Sequence, residues 1–333
     1  MKLHFNSFIE MLTELPDDNV CREYLEMEIW NGTPKCPYCQ VKEVYKLKPK
    51  GLYKCSICRE RFTVAKFTVF EGSHIGLRKW FIGMWLFMAH KKGISAMQLS
   101  RDLKITIKSA WYMLHRIREA MQETDQKLNG DIELDESFVG GKNKNRHHDK
   151  KVEQSQGRSF KDKTPVFGMM QKADTDIIER PHKKDPTKTV KEKIYHTFGK
   201  VICKVVPDTK SKSLKGLIYK HIKFGSNIVT DEWMAYVGLN KHYNHDIVDH
   251  RRGEYVNERG QTTNTIEGFW TWLKKTYAAT YHTITRKYLQ RYADEIAFRY
   301  NYHRIPEGDR FSLLLSYTQN RKISYKKLVY GTK

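Results

Sequence analysis

The spacing of apolar residues changes in character near residue 130 of this chain. Before that point, residues 1–30 and 63–125 place apolar side chains three or four positions apart, which is typical of amphipathic helices. Beyond it, short apolar runs alternate with helical stretches. The runs that predict strands cover residues 131–139, 165–170, 200–206, 227–231 and 245–250, and those that predict helices cover 213–222 and a long stretch from 263 onward. The pattern predicts a multi-domain α+β protein with a helical front and an α/β second half.

Two stretches of the second half interrupt this pattern. Residues 142–163 are polar, basic and almost free of apolar side chains, so we expect a surface loop or a mobile arm there. Residues 173–199 are charged and contain two prolines, which are rare in central strands. We therefore expect this second stretch to form a hairpin or another surface insertion.

Four of the six cysteines form two tight pairs. Cys36 and Cys39 are the first pair, Cys55 and Cys58 the second, and 15 residues separate the pairs. Each pair brings two thiolates together at one turn, and two such turns complete the tetrahedral site of one structural zinc ion. A redox dithiol is the alternative for one pair, but a second matched pair favours metal. The spacing predicts a zinc ribbon over residues 31–62.

A second candidate DNA-binding element follows the cysteines. Residues 95–98 fit a capping box that begins one helix, and Thr106 is placed to cap a second helix that reaches about residue 121. A short helix, a tight turn and a basic second helix are typical of a helix-turn-helix, although two packed amphipathic helices with a solvated basic face are the alternative. We expect outward-facing side chains at Ser109 and His115, and outward-facing DNA contacts at Lys108, Tyr112 and Arg116.

The charge balance narrows the kind of partner. Lysine and arginine number 60 against 38 acidic residues, a formal charge of +22, which favours a polyanion. Nucleic acid fits better than a membrane, because the most apolar run, residues 80–89, is about half of a bilayer span. The first residues lack a signal-peptide layout. We expect a cytoplasmic, nucleoid-associated protein in a reducing setting, where paired cysteines bind metal.

Three carboxylates lie where two strands and a helix can bring them together. Asp135 is on the first predicted strand of the second half, Asp231 ends a later strand, and Glu267 is early in the helix beyond residue 263. Oxygen ligands at one rim of a sheet suit two Mg²⁺ or Mn²⁺ ions, which can clamp an in-line phosphoryl displacement. The spacing is weak by itself in a chain with 38 acids. Competing carboxylates nearby are Asp131, Glu133, Glu136, Glu232 and Asp249.

Lys274 strengthens this interpretation. It follows Glu267 by two helical turns on the same helix face, where an ammonium group would hold a DNA phosphate. Asn264 shares that face and, like Lys275, is a candidate DNA contact. An ordinary solvated helix edge is the alternative for both lysines.

The motifs around these residues resemble those of a known family. Over nearly its whole length, the chain is similar to the bacterial zinc-ribbon insertion-sequence transposases related to the eukaryotic Merlin elements. It departs from the usual family pattern at Thr262, where histidine is frequent, and at 278–280, where a glycine is expected. The stretches that carry the resemblance are Asp135-Glu136-Ser137-Phe138-Val139-Gly140-Gly141-Lys142, Asn264-Thr265-Ile266-Glu267-Gly268-Phe269-Trp270, Leu289-Gln290-Arg291-Tyr292 and Phe298-Arg299-Tyr300-Asn301.

The resemblance implies an RNase H-like catalytic domain. In it, Asp135, Asp231 and Glu267 would bind the metal ions, with Lys274 as their companion, while the zinc ribbon and the helix-turn-helix would bind terminal repeats. The implied domains are an N-terminal helical segment at 1–30, the zinc ribbon at 31–62, the helix-turn-helix region at 63–125 and the catalytic domain at 126–333.

The implied function is transposition of an insertion sequence. The protein would bind double-stranded DNA at terminal inverted repeats, cleave a strand and join the freed 3′-hydroxyl to target DNA, as a homodimer or larger assembly. Further phosphate contacts are expected from the basic stretch that begins at Lys142, and from Arg251 and Arg252. Two alternatives remain: a non-catalytic DNA-binding regulator, and an RNase H-like nuclease that cuts DNA without joining it.

Overall fold

A computed structural model describes residues 5–122, 127–140, 147–152, 163–182, 185–249, 256–257 and 260–331. The chain divides into two compact units. We call Met1–Gln122 together with Tyr302–Lys333 the front unit, and Glu123–Asn301 the sheet unit. Among the residues that the structure describes, no helix is long and apolar enough to cross a membrane.

The front unit contains the described helices and short strands on either side of the sheet unit in sequence. Elements are numbered along the whole chain. Those of the front unit are α1 (Phe8–Glu14), α2 (Asp18–Trp30), β1 (Val44–Lys46), β2 (Tyr53–Cys55), β3 (Arg61–Phe62), α3 (Leu77–Ala89), α4 (Ala96–Leu103), α5 (Ile107–Ala120), α9 (Glu307–Ser316) and α10 (Tyr325–Tyr330).

The helices α4 and α5 of the front unit begin where short polar side chains cap them. Ser95 accepts a hydrogen bond from the backbone N–H of Gln98, and Thr106 accepts one from the N–H of Ser109. Such caps satisfy amide groups that the first helical turn leaves unpaired. Lys104, which has a left-handed conformation, ends α4, so the tight turn between α4 and α5 follows from local sequence. The predicted helix pair is confirmed.

The C-terminal segment belongs to the front unit by its contacts, whereas the sequence analysis placed it with the predicted catalytic domain. The ring of Phe311 in α9 is buried, and its centroid lies 6.2 Å from that of Phe5, 5.7 Å from Phe81 and 5.5 Å from Trp85. The backbone N–H of Val69 also donates to the Thr318 carbonyl oxygen at 3.1 Å. The front helices therefore complete their core with residues from the far end of the chain, a pairing that no local pattern indicates.

The sheet unit carries the α/β elements that the second half of the sequence predicts. Its elements are β4 (Asp131–Gly140), β5 (Lys163–Gln171), β6 (Thr175–His182), β7 (Asp185–Tyr195), β8 (Lys200–Val205), α6 (Ser211–His221), β9 (Asn227–Thr230), β10 (Asn244–Ile247), α7 (Asn264–Thr276) and α8 (Leu289–Asn301).

The main sheet has the mixed topology of an RNase H-like fold. Its strand order is β10-β9-β4-β5-β8. The strands β10, β9 and β4 run parallel, whereas β5 is antiparallel to both β4 and β8. Along the chain, β4, β5 and β8 form an antiparallel meander. The chain then crosses to the other side of β4, where β9 and β10 are added as parallel strands. The predicted fold class is confirmed.

Helices cover both faces of this sheet. Residues of β4, β5 and β8 such as Ile132, Phe167 and Ile202 cluster with Leu214 and Ile218 of α6. Residues of the opposite face cluster with α7 and α8, and the buried side chains in that second cluster include Val166, Met170, Ile266, Phe269, Trp270, Ala293 and Ile296. Because successive strand residues point to opposite faces, Asp135 shares the α7 side of β4 with Glu133.

The insertion expected at residues 173–199 is a β-hairpin. Strands β6 and β7 pair antiparallel from Thr175 opposite Tyr195 to Pro181 opposite Thr189, in a two-stranded sheet of their own. The hairpin leaves the main sheet between β5 and β8. The hairpin is therefore an insertion between β5 and β8 in the chain, and these two strands remain neighbours in the main sheet.

Gly168 on β5 makes room for a helix on the sheet. It lies opposite Asp135 in the β4–β5 register, and a Cβ atom there would come within 2.6 Å of the Trp270 ring and 2.9 Å of the Ile266 side chain. Real Cβ atoms do not approach so closely, so α7 packs against bare backbone at this point.

We predict that Gly168→Ala destabilises the sheet unit by about 1–3 kcal/mol, the usual cost of overpacking a filled core. The measurement is urea unfolding followed by tryptophan fluorescence. Gly216→Ala in α6 is the matched control, because its Cβ would meet no atom within 4 Å and alanine favours the helix. Equal unfolding midpoints for the two variants would contradict the close packing of α7 on β5.

Candidate functional site

The four paired cysteines form one compact cluster in the front unit. The sulfurs of Cys36 and Cys58 are 3.5 Å apart, as are those of Cys39 and Cys55, and all four lie within 4.8 Å of one another. A tetrahedron of sulfur ligands about 2.3 Å from a zinc ion has edges of about 3.8 Å. The cluster therefore fits one structural zinc ion, as the cysteine spacing predicts.

The backbone of the two cysteine turns prepares this cluster. Gln40 and Arg59 each follow a cysteine pair in a left-handed conformation, with φ of 62° and 64°, and this closes the turn around the preceding thiols. Burial works against the ionised thiol of Cys55, but hydrogen bonds from the backbone N–H groups of Cys58 and Ile57 lower its pKa to about 7. A lowered pKa favours the thiolate that zinc binds.

The second helix of the predicted helix-turn-helix, α5, presents fewer basic groups than expected. Lys108 is exposed, at the first turn of α5. His115 and Arg116 are buried, and the guanidinium of Arg116 donates to the Glu71 carbonyl oxygen at 2.6 Å and lies over the Trp80 ring. The expected outward orientation is wrong for His115 and Arg116, because both side chains are buried inside the front unit. The predicted DNA contact at Arg116 loses its basis.

Tyr112 also turns toward the protein. Its hydroxyl donates to the carbonyl oxygen of Ile323 at 2.7 Å, and its ring lies edge-on to Tyr325 at 5.5 Å. The side chain is half-buried by α10 and the residues before it. It anchors the C-terminal segment to α5, so a DNA contact by Tyr112 is not supported either.

The strand register brings Asp135 and Asp231 to the same level of the sheet. Parallel pairing of β4 with β9 places Ile132 beside Ile228 and Glu133 beside Val229. Continuing that register by two residues puts Asp231, just past the end of β9, level with Asp135. Neighbouring strands lie about 4.8 Å apart, so Asp135 and Asp231 lie at the same rim of the sheet. We call this place, together with Glu267 of α7, the acidic rim.

Asp135 is partly buried and is held by a hydrogen bond from the neighbouring helix α7. The indole N–H of the buried Trp270 donates to Asp135 Oδ2 at 2.8 Å. Burial raises the pKa of Asp135 to about 6; the Trp270 hydrogen bond opposes this rise, while the charges of Asp231 and Glu267 add to it. Three carboxylates within electrostatic reach of one another would be stabilised by a cation, and an all-oxygen set suits Mg²⁺ or Mn²⁺.

The exposed face of α7 carries the other candidates. Asn264, Glu267, Lys274 and Lys275 are all exposed, whereas Ile266, Phe269 and Leu273 on the same helix are buried. Asn264 and Glu267 lie in the first turn, and Lys274 follows on the same side two turns later. The helix thus presents a carboxylate near the acidic rim and ammonium groups farther along.

The three carboxylates are more widely spaced than the zinc-ribbon thiols. Their oxygens do not all lie within 4.8 Å of one another; among the described residues, the cysteine cluster is the one group of three or more such ligands that does. Asp231 accepts a hydrogen bond from the backbone N–H of Trp233 at 3.1 Å, which holds its carboxylate at the strand end. The rim is an open, acidic site and not a closed cage.

Sequence reasoning missed two side chains that support this rim. Glu133, treated as a competing carboxylate, is fully buried; its Oε2 accepts from the backbone N–H of Ile266 at 2.7 Å, and its Oε1 lies 3.2 Å from Lys172 Nζ. It caps α7 one residue before Glu267. The second side chain is Trp270, which is buried and donates its indole N–H to Asp135. An alternation of acids on one strand face was the available signal, and it could not rank Glu133 against Asp135.

A buried tyrosine lies beside the same rim. The hydroxyl of Tyr236 donates to Glu136 Oε1, and the side chain is 1% exposed. Burial, followed by the charges of Glu136, Asp231 and Asp135, raises the pKa of Tyr236 well above its usual value. The Glu136 carboxylate is therefore hydrogen-bonded to Tyr236, whereas the Asp135 carboxylate is hydrogen-bonded to Trp270. The candidates Lys142, Arg251 and Arg252 lie outside the described residues.

A zinc ribbon in the same chain as an RNase H-like sheet with an acidic rim is the combination expected of an insertion-sequence transposase. The sequence profile of the ISXO2-like transposase domain matches residues 127–301, and that of the transposase zinc-ribbon domain matches residues 16–61. The chain belongs to the ISXO2-like transposase family. The first match ends at the same residue as the sheet unit.

A curated relative carries a consistent name. The chain is 26% identical over 239 residues to the uncharacterized protein in transposable element ISH50 of Halobacterium salinarum, which covers 68% of this chain and 72% of the relative. The resemblance to insertion-sequence transposases that the motifs indicated is thereby confirmed.

We expect Cys55→Ser to remove the bound zinc, because a structural site that loses one of four thiolates no longer closes. Zinc per chain would be measured by elemental analysis of protein purified without chelator, with about one ion expected for the unaltered protein. Cys21→Ala is the control, since this buried thiol lies outside the cluster and should leave the zinc content unchanged. Zinc retained by Cys55→Ser would contradict the assignment.

We expect Glu133→Ala to destabilise the sheet unit by about 1–3 kcal/mol, because it leaves the buried N–H of Ile266 without an acceptor. Glu133→Gln keeps an acceptor oxygen and should recover most of that loss. Chemical unfolding of both variants measures the difference. Identical stabilities for the two would show that the cap on α7 contributes nothing.

Proposed function

We propose that this protein is a DNA transposase that binds the terminal inverted repeats of an insertion sequence and catalyses strand cleavage and strand transfer at Asp135, Asp231 and Glu267. The observation that carries the proposal is the acidic rim: two aspartates level on adjacent parallel strands, next to a helix that bears Glu267. Membership in a transposase family supports the same reading.

The three carboxylates would hold two Mg²⁺ or Mn²⁺ ions. Their oxygens do not form one closed cage, which suits an open two-ion site better than a single structural ion. When bound, such ions supply the positive charge that stabilises the attacking and leaving oxygens of a phosphodiester exchange. Asp135 and Asp231 would hold the ions at the acidic rim, and Glu267 would complete the ligand set from α7.

The surrounding side chains would position this rim and the DNA. Trp270 fixes one oxygen of Asp135, so the carboxylate is oriented before any ligand arrives. Lys274 and Lys275 are exposed on α7 and would bind phosphates beside the reacting strand. Asn264 is exposed in the first turn of the helix, on the side of Glu267, and would contact DNA there.

Recognition of the terminal repeats would fall to the front unit. The zinc ribbon and the exposed first turn of α5, with Lys108, are its candidate contacts with double-stranded DNA. The surplus of positive charge, +22, favours binding to the duplex backbone that weakens steeply with salt. Paired ends would be held by a homodimer or larger assembly associated with the nucleoid.

The test is a strand-transfer assay with purified full-length protein, Mg²⁺ and duplexes that carry the ends of its own element. We expect Asp135→Ala, Asp231→Ala and Glu267→Ala each to reduce joined products by about 100-fold or more, as expected when transition-state charge stabilisation is lost. Asp131→Asn is the matched control and should leave the joined products unchanged. Asp131 lies on the same face of β4 as Asp135, but at the exposed start of the strand.

The outcomes separate three functions. Joined products that need metal and all three carboxylates support the transposase. Cleavage without joining, even with Mn²⁺, favours a nuclease on the same fold. Binding of the ends without cleavage by the unaltered protein would replace the proposal with a non-catalytic DNA-binding regulator.

A further inference from the structure

Four aromatic rings gather on the sheet unit away from the acidic rim. Phe224 and His242 are stacked, with centroids 5.1 Å apart and an angle of 28° between their planes. Tyr219 lies edge-on to both, at 6.2 Å from Phe224 and 5.6 Å from His242, and Tyr243 packs beneath. Phe224 is nevertheless 63% exposed and His242 is exposed as well. Large exposed rings that already contact others form a platform, not an isolated surface residue.

Backbone hydrogen bonds hold three chain segments together around these rings. The N–H of Gly225 donates to the His242 carbonyl at 2.9 Å, and that of Lys223 donates to the Leu128 carbonyl at 2.9 Å. Gly225 has φ of +81°, a conformation that glycine adopts without strain and that turns the chain sharply after Phe224. The segments 127–129, 219–225 and 241–244 thus meet in a fixed arrangement.

The charge on these segments has one sign. They contain four lysines, all exposed, and no aspartate or glutamate, in a chain with 38 acidic residues. Lys127 Nζ lies 5.8 Å from the Phe224 ring centroid. We call the four rings together with Lys127, Lys220, Lys223 and Lys241 the aromatic–lysine patch.

The patch is separate from the proposed catalytic site. It lies at the start of β9, whereas Asp231 follows the end of that strand. A strand of four residues spans about 13 Å, so the patch and the acidic rim occupy opposite ends of the parallel strands. The patch therefore needs its own explanation.

We propose that the aromatic–lysine patch binds single-stranded DNA, with an unpaired base stacked on Phe224 and the lysines on the flanking phosphates. An exposed ring beside cations matches the two parts of a single strand, an open base face and a phosphate backbone. Duplex DNA offers the phosphates but covers its base faces by stacking, so it would use the lysines alone. The inference rests on the proposed function only in taking DNA as the substrate.

Binding of a fluorescent oligothymidine to the full-length protein tests the proposal. Anisotropy titrations would be run without divalent metal in an Asp231→Ala background, so that strand cleavage is not needed for a result. We expect Phe224→Ala to weaken single-strand binding by about 5- to 150-fold, the loss of one base stack, and Phe224→Trp to retain it. Affinity for a duplex of the same length should change little with either substitution.

A charge-matched comparison separates the patch from the overall charge. Lys220→Ala with Lys223→Ala should lower the slope of log affinity against log salt for the single strand by about 1.4. Lys191→Ala with Lys193→Ala removes the same charge from exposed positions on the β6–β7 hairpin and should leave that slope unchanged.

Unchanged single-strand affinity in Phe224→Ala would overturn the proposal, and so would an equal loss of duplex affinity. Circular dichroism of Phe224→Ala verifies that the exposed substitution leaves the fold intact. Failure of strand transfer in the unaltered protein would count against the proposed function alone, because the binding titrations do not depend on it.

Discussion

The packing of α7 against β4 and β5 is the contact on which the acidic rim depends. Gly168 leaves bare backbone where Trp270 sits, and Trp270 in turn donates its indole N–H to Asp135. Glu133 caps the start of the helix one residue before Glu267. One interface therefore sets the orientation of Asp135 and the position of Glu267 together. A shift of α7 would disturb both carboxylates, so precision at the rim is a property of core packing.

The zinc ribbon of the front unit meets a different constraint, which is small size. The described strands of its ribbon are two or three residues long, too short to bury a core by themselves. Four thiols that fit one zinc ion, and the rings of Trp30, Tyr53 and Phe62 packed beside them, supply what the strands lack. The neighbouring helices have a core of their own, which encloses Phe311 from the C-terminal segment.

Positive charge is divided between structure and surface. Arg116 is a buried cation held by the Glu71 carbonyl and the rings of Trp80 and Tyr112, so it ties α5 to neighbouring parts of the front unit and offers nothing to a polyanion. The exposed lysines of α7 and of the aromatic–lysine patch lie at different places on the sheet unit. A basic composition thus predicts a class of partner, but the surfaces that meet that partner follow from which cations the core leaves exposed.

The sequence by itself determined the features whose causes are local. Cysteine spacing predicted the ribbon, helix caps predicted α4 and α5, and alternating apolar runs predicted the strands of the sheet. Only the tertiary structure decided which acids share a rim, since Glu133 and Asp135 are equivalent in strand pattern and differ through Ile266 and Trp270. The tertiary structure likewise decided three other features: the burial of Arg116, the placement of the C-terminal segment and the stacking of Phe224 on His242. Each depends on contacts between residues distant in sequence, and periodicity carries no information about such partners.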